Sequence, residues 1–163
     1  MHTLVFMDRA NYKEGVGRLT KEAAQKYDSA CYISFMDPYH IIFELLQTTG
    51  TDEKFIVVDA STDSKQSKII NEKTYVLPIT SIFDFYLFLG KLISEKKIGV
   101  LLLDSVSSLI ERHSYLPLKQ MLTNMLLQAG SMRCSSLIVA FREHEEHEVV
   151  KHLDPFIARN WHY

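Results

Sequence analysis

The sequence predicts an α/β domain with a doubly wound, mainly parallel sheet flanked by helices. Short runs that are apolar throughout alternate with segments of helical periodicity along the whole chain. A strand that is apolar at every position is buried on both faces, as the strands of a parallel sheet are. The 163 residues, 47% hydrophobic and 23% charged, are enough for one ordinary core, so we expect a single domain over residues 1–163.

The first half of the sequence alternates three predicted strands with two predicted helices. The strands are TLVFM at residues 3–7, CYISFM at 31–36 and FIVVDA at 55–60. Apolar side chains at helical spacing predict a helix over residues 14–27. A second helix is expected after Asp37 and Pro38, which offer an N-cap and a first-turn proline, and Gly50 should end it.

The second half continues the same alternation. The polar residues 61–73 are expected to form a loop. Further predicted strands lie at residues 74–77, 99–104, 134–141 and 156–163, and further predicted helices at residues 80–96, 117–130 and 144–153. The aromatic residues of IFDFYLFL, in the first of these helices, cover more than one helix face, which predicts deep burial or a subunit interface.

Charge and composition exclude several classes of function. A net charge of -2 and the lack of a long basic run argue against nucleic-acid binding. No window approaches the roughly 18 uncharged apolar residues of a membrane span, and the first residues do not resemble a signal peptide, so we expect a cytoplasmic protein. Cys31 and Cys134 lie within apolar strands and are expected to be inert core thiols.

Four aspartates follow or end apolar runs that are predicted to be strands: Asp8, Asp37, Asp59 and Asp104. Ligands of doubly wound sheets bind at the carboxyl ends of the strands, so these side chains are candidates for a binding site. An aspartate directly after a strand is also a common helix cap or turn residue, and that alternative stays open for each of them.

Several segments resemble the RecA-type ATPase core of the archaeal KaiC/RadA-like superfamily. They are FIVVDAST, GVLLLDSVSSLI and SSLIVAFREHEEHEVVKHLDPF, in the same order of elements, and the resemblance spans nearly the whole chain. NYKEGVGRLTKEAAQKY followed by YISFMDPYHII is similar to a branch of KaiC-like proteins that lacks the phosphate-binding loop. The resemblance implies a RecA-like fold in which Asp104 matches the Walker B aspartate that positions Mg through water, followed by Ser105.

The phosphate-binding loop itself is degenerate. Setting Gly17, Arg18 and Leu19 against the end of G-x-x-x-x-G-K-[ST] places Tyr12 where the first glycine belongs. A tyrosine cannot follow the tight backbone turn of a phosphate cradle, and leucine has no hydroxyl for Mg. Arg18 would keep a positive charge, and Lys21 lies one helical turn further on.

The residues that catalysis would require are also incomplete. KaiC-like enzymes commonly carry one or two glutamates just after the second strand, but the sequence here reads Met36-Asp37, and Asp37 is expected to cap the next helix. Phosphoryl transfer depends on positioning and charge stabilisation, so the combined losses should remove most catalytic power. We therefore expect no catalytic residues and no cofactor.

Two other groups of residues give weaker indications of a functional site. His144, Glu148 and His152 fall at i, i+4 and i+8 with His147 nearby, a set that could bind zinc but that also suits a solvated charged face, and we expect no metal. Ser105 and Ser107 lack the G-x-S-x-G context of a hydrolase.

The sequence therefore favours a non-catalytic RecA/KaiC-like regulatory or interaction module with a degenerate nucleotide site. Protein partners or self-association are expected, in the signalling context that the resemblance implies for an archaeon. The alternative is a divergent Mg-ATP-binding protein or ATPase that uses Asp104 with Arg18 or Lys21. If a nucleotide binds, Asp104, Ser105, Arg18, Lys21 and Asp37 are the expected binding residues.

Overall fold

A computed structural model describes residues 1–62 and 66–163. Residues 63–65, which belong to the predicted loop 61–73, lie outside the described residues. Within the described ranges the strands are β1 (His2–Met7), β2 (Ala30–Ser34), β3 (Phe55–Asp59), β4 (Lys68–Asn71), β5 (Thr74–Val76), β6 (Val100–Asp104), β7 (Ser135–Phe141) and β8 (Ile157–His162).

The described strands form one sheet in the order β4-β5-β3-β2-β6-β7-β1-β8. Every neighbouring pair is parallel except β4 and β5, which form an antiparallel hairpin at one edge. The central pair β2 and β6 is in register from Ala30 opposite Val100 to Ser34 opposite Asp104. The predicted mainly parallel α/β class is confirmed.

Helices cover both faces of this sheet. They are α1 (Tyr12–Lys26), α2 (Tyr39–Thr49), α3 (Ile82–Lys96), α4 (Val106–Arg112), α5 (Tyr115–Ser131) and α6 (Glu148–Leu153). Buried side chains of α1 and α2 pack on one face, and those of α3 to α6 pack on the other. Each of the central strands is therefore buried on both sides, which is why it is apolar at nearly every position.

Two glycines are required by the local geometry. A Cβ on Gly15 would lie 2.8 Å from the sulfur of Met7, so the glycine lets α1 approach β1 closely. Gly50 has a φ of 68° and ends α2 in the left-handed conformation that glycine adopts without strain. The predicted end of the second helix at Gly50 is confirmed.

Three elements differ from the sequence predictions. The helix α4 was not predicted, because its seven residues are too short to show a helical period. The strand β4 lies in the predicted loop 61–73 and is stabilised by pairing with β5 rather than by its own burial. The helix predicted over residues 144–153 begins only at Glu148, because a 3-10 turn, Arg142–His144, precedes it.

Both cysteine thiols are buried in the core. Cys31 lies in β2 and Cys134 just before β7, and neither side chain is exposed to solvent. Burial raises the pKa of the Cys31 thiol well above its usual range and raises that of Cys134 to about 12. The thiols are therefore protonated at neutral pH, as the sequence predicted for core residues.

None of the helices within the described ranges is both long and apolar enough to span a bilayer.

Candidate functional site

Asp104 ends β6 at the carboxyl edge of the sheet, where β6 lies between β2 and β7. Its side chain has no exposed surface. The backbone carbonyl of Asp104 accepts a hydrogen bond of 2.6 Å from the amide of Phe35, which continues the pairing with β2 past its last residue. The strand pairing therefore holds this carboxyl group inside the sheet edge and away from solvent.

Two tyrosine hydroxyls donate hydrogen bonds to the same oxygen, Oδ2 of Asp104. Tyr12 is the first residue of α1, and Tyr32 lies in the middle of β2. The other oxygen, Oδ1, is buried and has no hydrogen-bond partner among the described residues. The carboxyl group is thus held from one side by two phenols that come from different elements.

Burial is the main influence on the protonation of this cluster. Desolvation raises the pKa of Asp104 to about 6, although the hydrogen bonds from Tyr12 and Tyr32 lower it and the nearby charge of Asp37 raises it. Burial and the Asp104 charge raise the pKa of both tyrosines far above the usual range. Both phenols therefore stay protonated at neutral pH and remain hydrogen-bond donors.

Of the other strand-end aspartates, Asp59 has the helix-cap role that the sequence left open beside ligand binding, and Asp37 does not have the cap role that was expected of it. Asp59, rather than Asp37, accepts a hydrogen bond at the start of α2, with 2.9 Å between its Oδ2 and the amide nitrogen of Tyr39. The sequence prediction that Asp37 caps this helix is wrong, because α2 begins at Tyr39 and Pro38 occupies the N-cap position. Asp59 reaches the cap from the end of the neighbouring strand β3.

Asp8 is exposed and lies 3.6 Å from the guanidinium of Arg142. This ion pair joins the end of β1 to the turn that follows β7. Asp8 therefore has a partner at the protein surface and does not join the buried cluster.

Ser105 caps α4 and is fully buried. Its hydroxyl oxygen accepts a hydrogen bond of 3.3 Å from the amide of Ser108. Ser107 is equally buried, and its hydroxyl oxygen accepts one of 2.7 Å from the amide of Phe141 in β7. Both hydroxyls therefore have structural partners.

A second cluster at this edge was not predicted from the sequence. Arg9, just after β1, forms ion pairs with Glu111 and Glu143, and its guanidinium carbon lies 4.3 Å from the ring centroid of Phe141. His144 joins the two glutamates in a group whose ligand atoms lie within 4.8 Å of one another. The single positive charge of the Arg9 guanidinium pairs with both carboxylates and compensates one of their two negative charges.

The histidine set that the sequence suggested as an alternative zinc site does not lie on one helix. His144 belongs to the 3-10 turn before α6, so the spacing i, i+4, i+8 does not hold. His147 caps α6 by accepting a hydrogen bond of 3.2 Å from the amide of Val149. His152 lies 3.0 Å from the hydroxyl of Thr123 on α5.

A cavity of about 220 Å³ lies between α1 and α2, next to the Asp104 cluster. Tyr12 and Tyr32 contribute to its lining from the side of the sheet, and Asp37 contributes from the turn after β2. Side chains of α1 and α2 form the remaining walls. The cavity therefore adjoins the phenols that hold Asp104.

Comparison with known proteins gives a structural likeness. No family model and no curated protein matches the sequence. The crystal structure of a KaiC-like protein, PH0186 from the hyperthermophilic archaeon Pyrococcus horikoshii OT3, is similar with a TM-score of 0.69. The match covers 96% of this chain and 68% of that chain at 11% sequence identity. The chain has a KaiC-like, RecA-type fold.

In a RecA-type fold the connection from β1 to α1 is the place of a phosphate-binding loop. Here it is only residues 8–11, of which Arg9–Asn11 form a 3-10 turn. Gly17, Arg18 and Leu19, which the sequence set against the end of the loop motif, lie inside α1 rather than at its start. Their backbone N–H groups belong to a helix interior and cannot surround a phosphate.

The structure does not bring Arg18 or Lys21 to Asp104. Arg18 forms an ion pair with Glu14 on the exposed side of α1. Lys21 is nine residues beyond Tyr12, which is about 14 Å along the helix, and it lines a surface cavity beside Gly50, where α2 ends. Lys21 therefore lies away from the carboxyl edge of the sheet. Arg18 lines a surface pocket with Met7 and Asn11 at the β1 end of that edge, where it is paired with Glu14 rather than with Asp104.

The partners of Asp104 are the residues that the sequence prediction missed. Tyr12 was considered only as a residue that disrupts the phosphate loop, and Tyr32 only as part of an apolar strand. A tyrosine in the middle of a fully buried strand was nevertheless a signal, because its hydroxyl needs a hydrogen-bond partner inside the protein.

Proposed function

We propose that the chain is a non-catalytic RecA/KaiC-like regulatory or interaction module in which the protein's own side chains close the ancestral nucleotide position. The observation that carries this proposal is the pair of hydrogen bonds from Tyr12 and Tyr32 to Asp104. An aspartate that positions Mg through water has to offer its oxygens to solvent. Asp104 has no exposed surface and one oxygen is already engaged twice.

The surroundings of Asp104 support the same conclusion. The short connection between β1 and α1 supplies no ring of backbone amides for a triphosphate, and Arg18 is paired with Glu14. Ser105 lies buried at the start of α4, where it caps the helix. The alternative of a divergent ATPase requires Asp104 and either Arg18 or Lys21 to contact the same nucleotide.

The interaction part of the proposal is supported by exposed apolar side chains on α3 and α5. Phe83 and Leu87 of α3 are 66% and 52% exposed, and Leu127 of α5 is 56% exposed. Phe83 and Leu127 line a groove of about 550 Å³ between the two helices. Clustered apolar side chains at a surface are typical of contacts with another protein or another copy.

Thermal unfolding with and without millimolar Mg-ATP tests the nucleotide part of the proposal. A ligand that binds only the folded state at 100 times its Kd stabilises that state by about 2.7 kcal/mol, so even a micromolar site would give a clear rise in Tm. We expect no rise. A Mg-dependent rise that Asp104→Asn abolishes would support the divergent ATP-binding alternative instead.

Sedimentation of the full chain over a range of concentrations tests the interaction part. We expect concentration-dependent association that is lost in Phe83→Glu combined with Leu127→Glu. Glu53→Gln, an exposed change in the turn before β3, is a matched control that should leave association unchanged. Association of equal strength in all three proteins would show that the α3–α5 groove is not the contact surface.

A further inference from the structure

The cavity between α1 and α2 combines hydrogen-bond acceptors with an apolar wall. Asp37 and Glu44 contribute carboxylates to its lining, and Tyr12 contributes a phenol. The Tyr12 hydroxyl donates its single proton to Asp104, so its oxygen offers only lone pairs to another group. The polar part of this cavity is therefore suited to a ligand that donates hydrogen bonds.

The electrostatic environment favours a positive charge. Asp37 and Glu44 carry two negative charges, and Lys13 is the one cation in the cavity lining that the structure describes. Asp104 lies directly behind Tyr12, and Asp37 is close enough to raise the pKa of both Asp104 and Tyr12. Glu44 and Lys13 are exposed and Asp37 is half-buried, so the attraction for a cation acts close to the protein surface.

The rest of the cavity is apolar. Val16 of α1 faces Ile41, Ile42 and Leu45 of α2 across the cavity. A volume of about 220 Å³ is smaller than the roughly 300–1,000 Å³ of cavities that hold drug-sized ligands. The cavity therefore suits a short aliphatic chain with a charged end and excludes a molecule of the size of ATP.

We propose that this cavity binds a small alkylammonium ion, with the ammonium group hydrogen-bonded to Asp37 and Glu44 and the alkyl chain against Val16, Ile41 and Leu45. The cavity adjoins the ancestral nucleotide position, with which it shares Tyr12 and Asp37, but the alkylammonium ligand goes beyond the proposed function. The side-chain ammonium of Lys13 is the natural competitor for the same acceptors, because Lys13 lies exposed at the cavity and has a flexible chain.

The test is a calorimetric titration of the full chain with n-butylammonium chloride at pH 7.5 and constant ionic strength. Its probes are matched in size: n-butanol removes the charge, and butyrate reverses it. We expect saturable binding of butylammonium and none of the other two. No saturable binding of butylammonium, or equal binding of butanol, overturns the proposal.

Substitutions locate the site. Asp37→Asn and Glu44→Gln should each weaken butylammonium binding about tenfold, as expected for loss of a charged hydrogen-bond acceptor, and Lys13→Met should strengthen it. Glu44 is exposed on α2, so Glu44→Gln should fold normally even if Asp37→Asn is less stable. Asp28→Asn, an exposed change before β2, is the charge-matched control and should leave the affinity unchanged.

Binding that none of the cavity variants alters would also overturn the proposal, because it would place the amine elsewhere on the protein. The titrations contain no nucleotide and no second protein. Their failure is therefore distinguishable from failure of the proposed function, which depends on the responses to Mg-ATP and on association.

Discussion

The hydroxyl of Tyr12 donates a hydrogen bond to Oδ2 of Asp104 across 92 positions of the sequence. This bond joins the first turn of α1 to the end of β6 at the edge where a RecA-type fold holds its nucleotide. The tyrosine that the sequence comparison sets against the first loop glycine is thus also a residue that covers the carboxyl group of Asp104.

Removal of this hydroxyl should destabilise the protein in a pH-dependent manner. Tyr12→Phe leaves the ionised Asp104 with one donor fewer, which should cost about 1–3 kcal/mol of unfolding free energy at pH 7.5. The cost should be smaller at pH 4.5, because a protonated carboxyl group depends less on donors. Urea unfolding at the two pH values measures this difference.

Tyr75→Phe is the matched control for Tyr12→Phe. The Tyr75 hydroxyl makes an exposed hydrogen bond of 3.3 Å to the carbonyl of Glu72, so its removal should change stability by no more than about 0.5 kcal/mol at either pH. An equal cost of Tyr12→Phe at both pH values would show that the hydroxyl contributes through packing alone.

Ionisation of the Asp104 side chain should lower the free energy of unfolding as the pH rises from about 4 to about 6. Its pKa is about 6 in the folded protein against 3.8 for an unperturbed aspartate, so the folded state binds the proton more tightly. The stabilising effect is complete below pH 4 and is lost as the pH rises through 6. The unfolding free energy of the wild type should fall by about 2 kcal/mol relative to Asp104→Asn between pH 4 and pH 7.

Urea unfolding of the wild type and Asp104→Asn at four pH values over this range checks the expectation. Asp8→Asn removes an exposed aspartate from the end of β1 and controls for the general effect of one negative charge. A constant difference between the wild type and Asp104→Asn would contradict the raised pKa.

Asp59 should stabilise the start of α2, and Asp37 should not. Asp59 accepts hydrogen bonds from the amide of Tyr39 at 2.9 Å and from the amide of Ser61 at 3.0 Å. Asp59→Ala should therefore cost about 1–2 kcal/mol, as expected for loss of a helix cap, and Asp37→Ala should cost less. Hydrogen exchange at the Tyr39 amide should accelerate only in Asp59→Ala. Acceleration in Asp37→Ala alone would restore the sequence-based assignment of the cap.

The two cysteines should react with a thiol reagent only when the protein unfolds. Both side chains are buried and protonated at neutral pH, so neither supplies a thiolate at the surface. As urea is added, the labelling rate should rise in proportion to the population of unfolded protein. Cys31 and Cys134 should be modified together. Rapid labelling of one of them without denaturant would contradict this expectation.

Much of the fold could be predicted because the central strands are short and apolar throughout. The runs that became β2, β3 and β6 have no polar position facing solvent, and that pattern indicates a parallel sheet covered on both sides. β4 and α4 could not be predicted in this way, since β4 depends on its hairpin partner and α4 is only two turns long. Both are stabilised by tertiary contacts that leave no periodicity in the sequence.

The candidate site was predicted in part. The position of Asp104 at a strand end follows from the pattern alone, but its partners do not. Tyr32 comes from the neighbouring strand and Tyr12 from a helix on one face, so their convergence depends on the strand order β2-β6-β7-β1. The capping of α2 by Asp59 instead of Asp37 has the same origin, because β3 lies beside β2 and brings Asp59 to the start of α2.

The neighbours of β1 also have a consequence for how the chain folds. β1 comes before the other described strands along the chain, but its two partners in the sheet are β7 and β8, with His2 paired to both Ser136 and Ile157. Such distant pairings raise the contact order, and a high contact order slows folding. On the ribosome the hydrophobic residues of β1 must wait until nearly all of these 163 residues have emerged, so a chaperone that shields them should increase the yield of native protein.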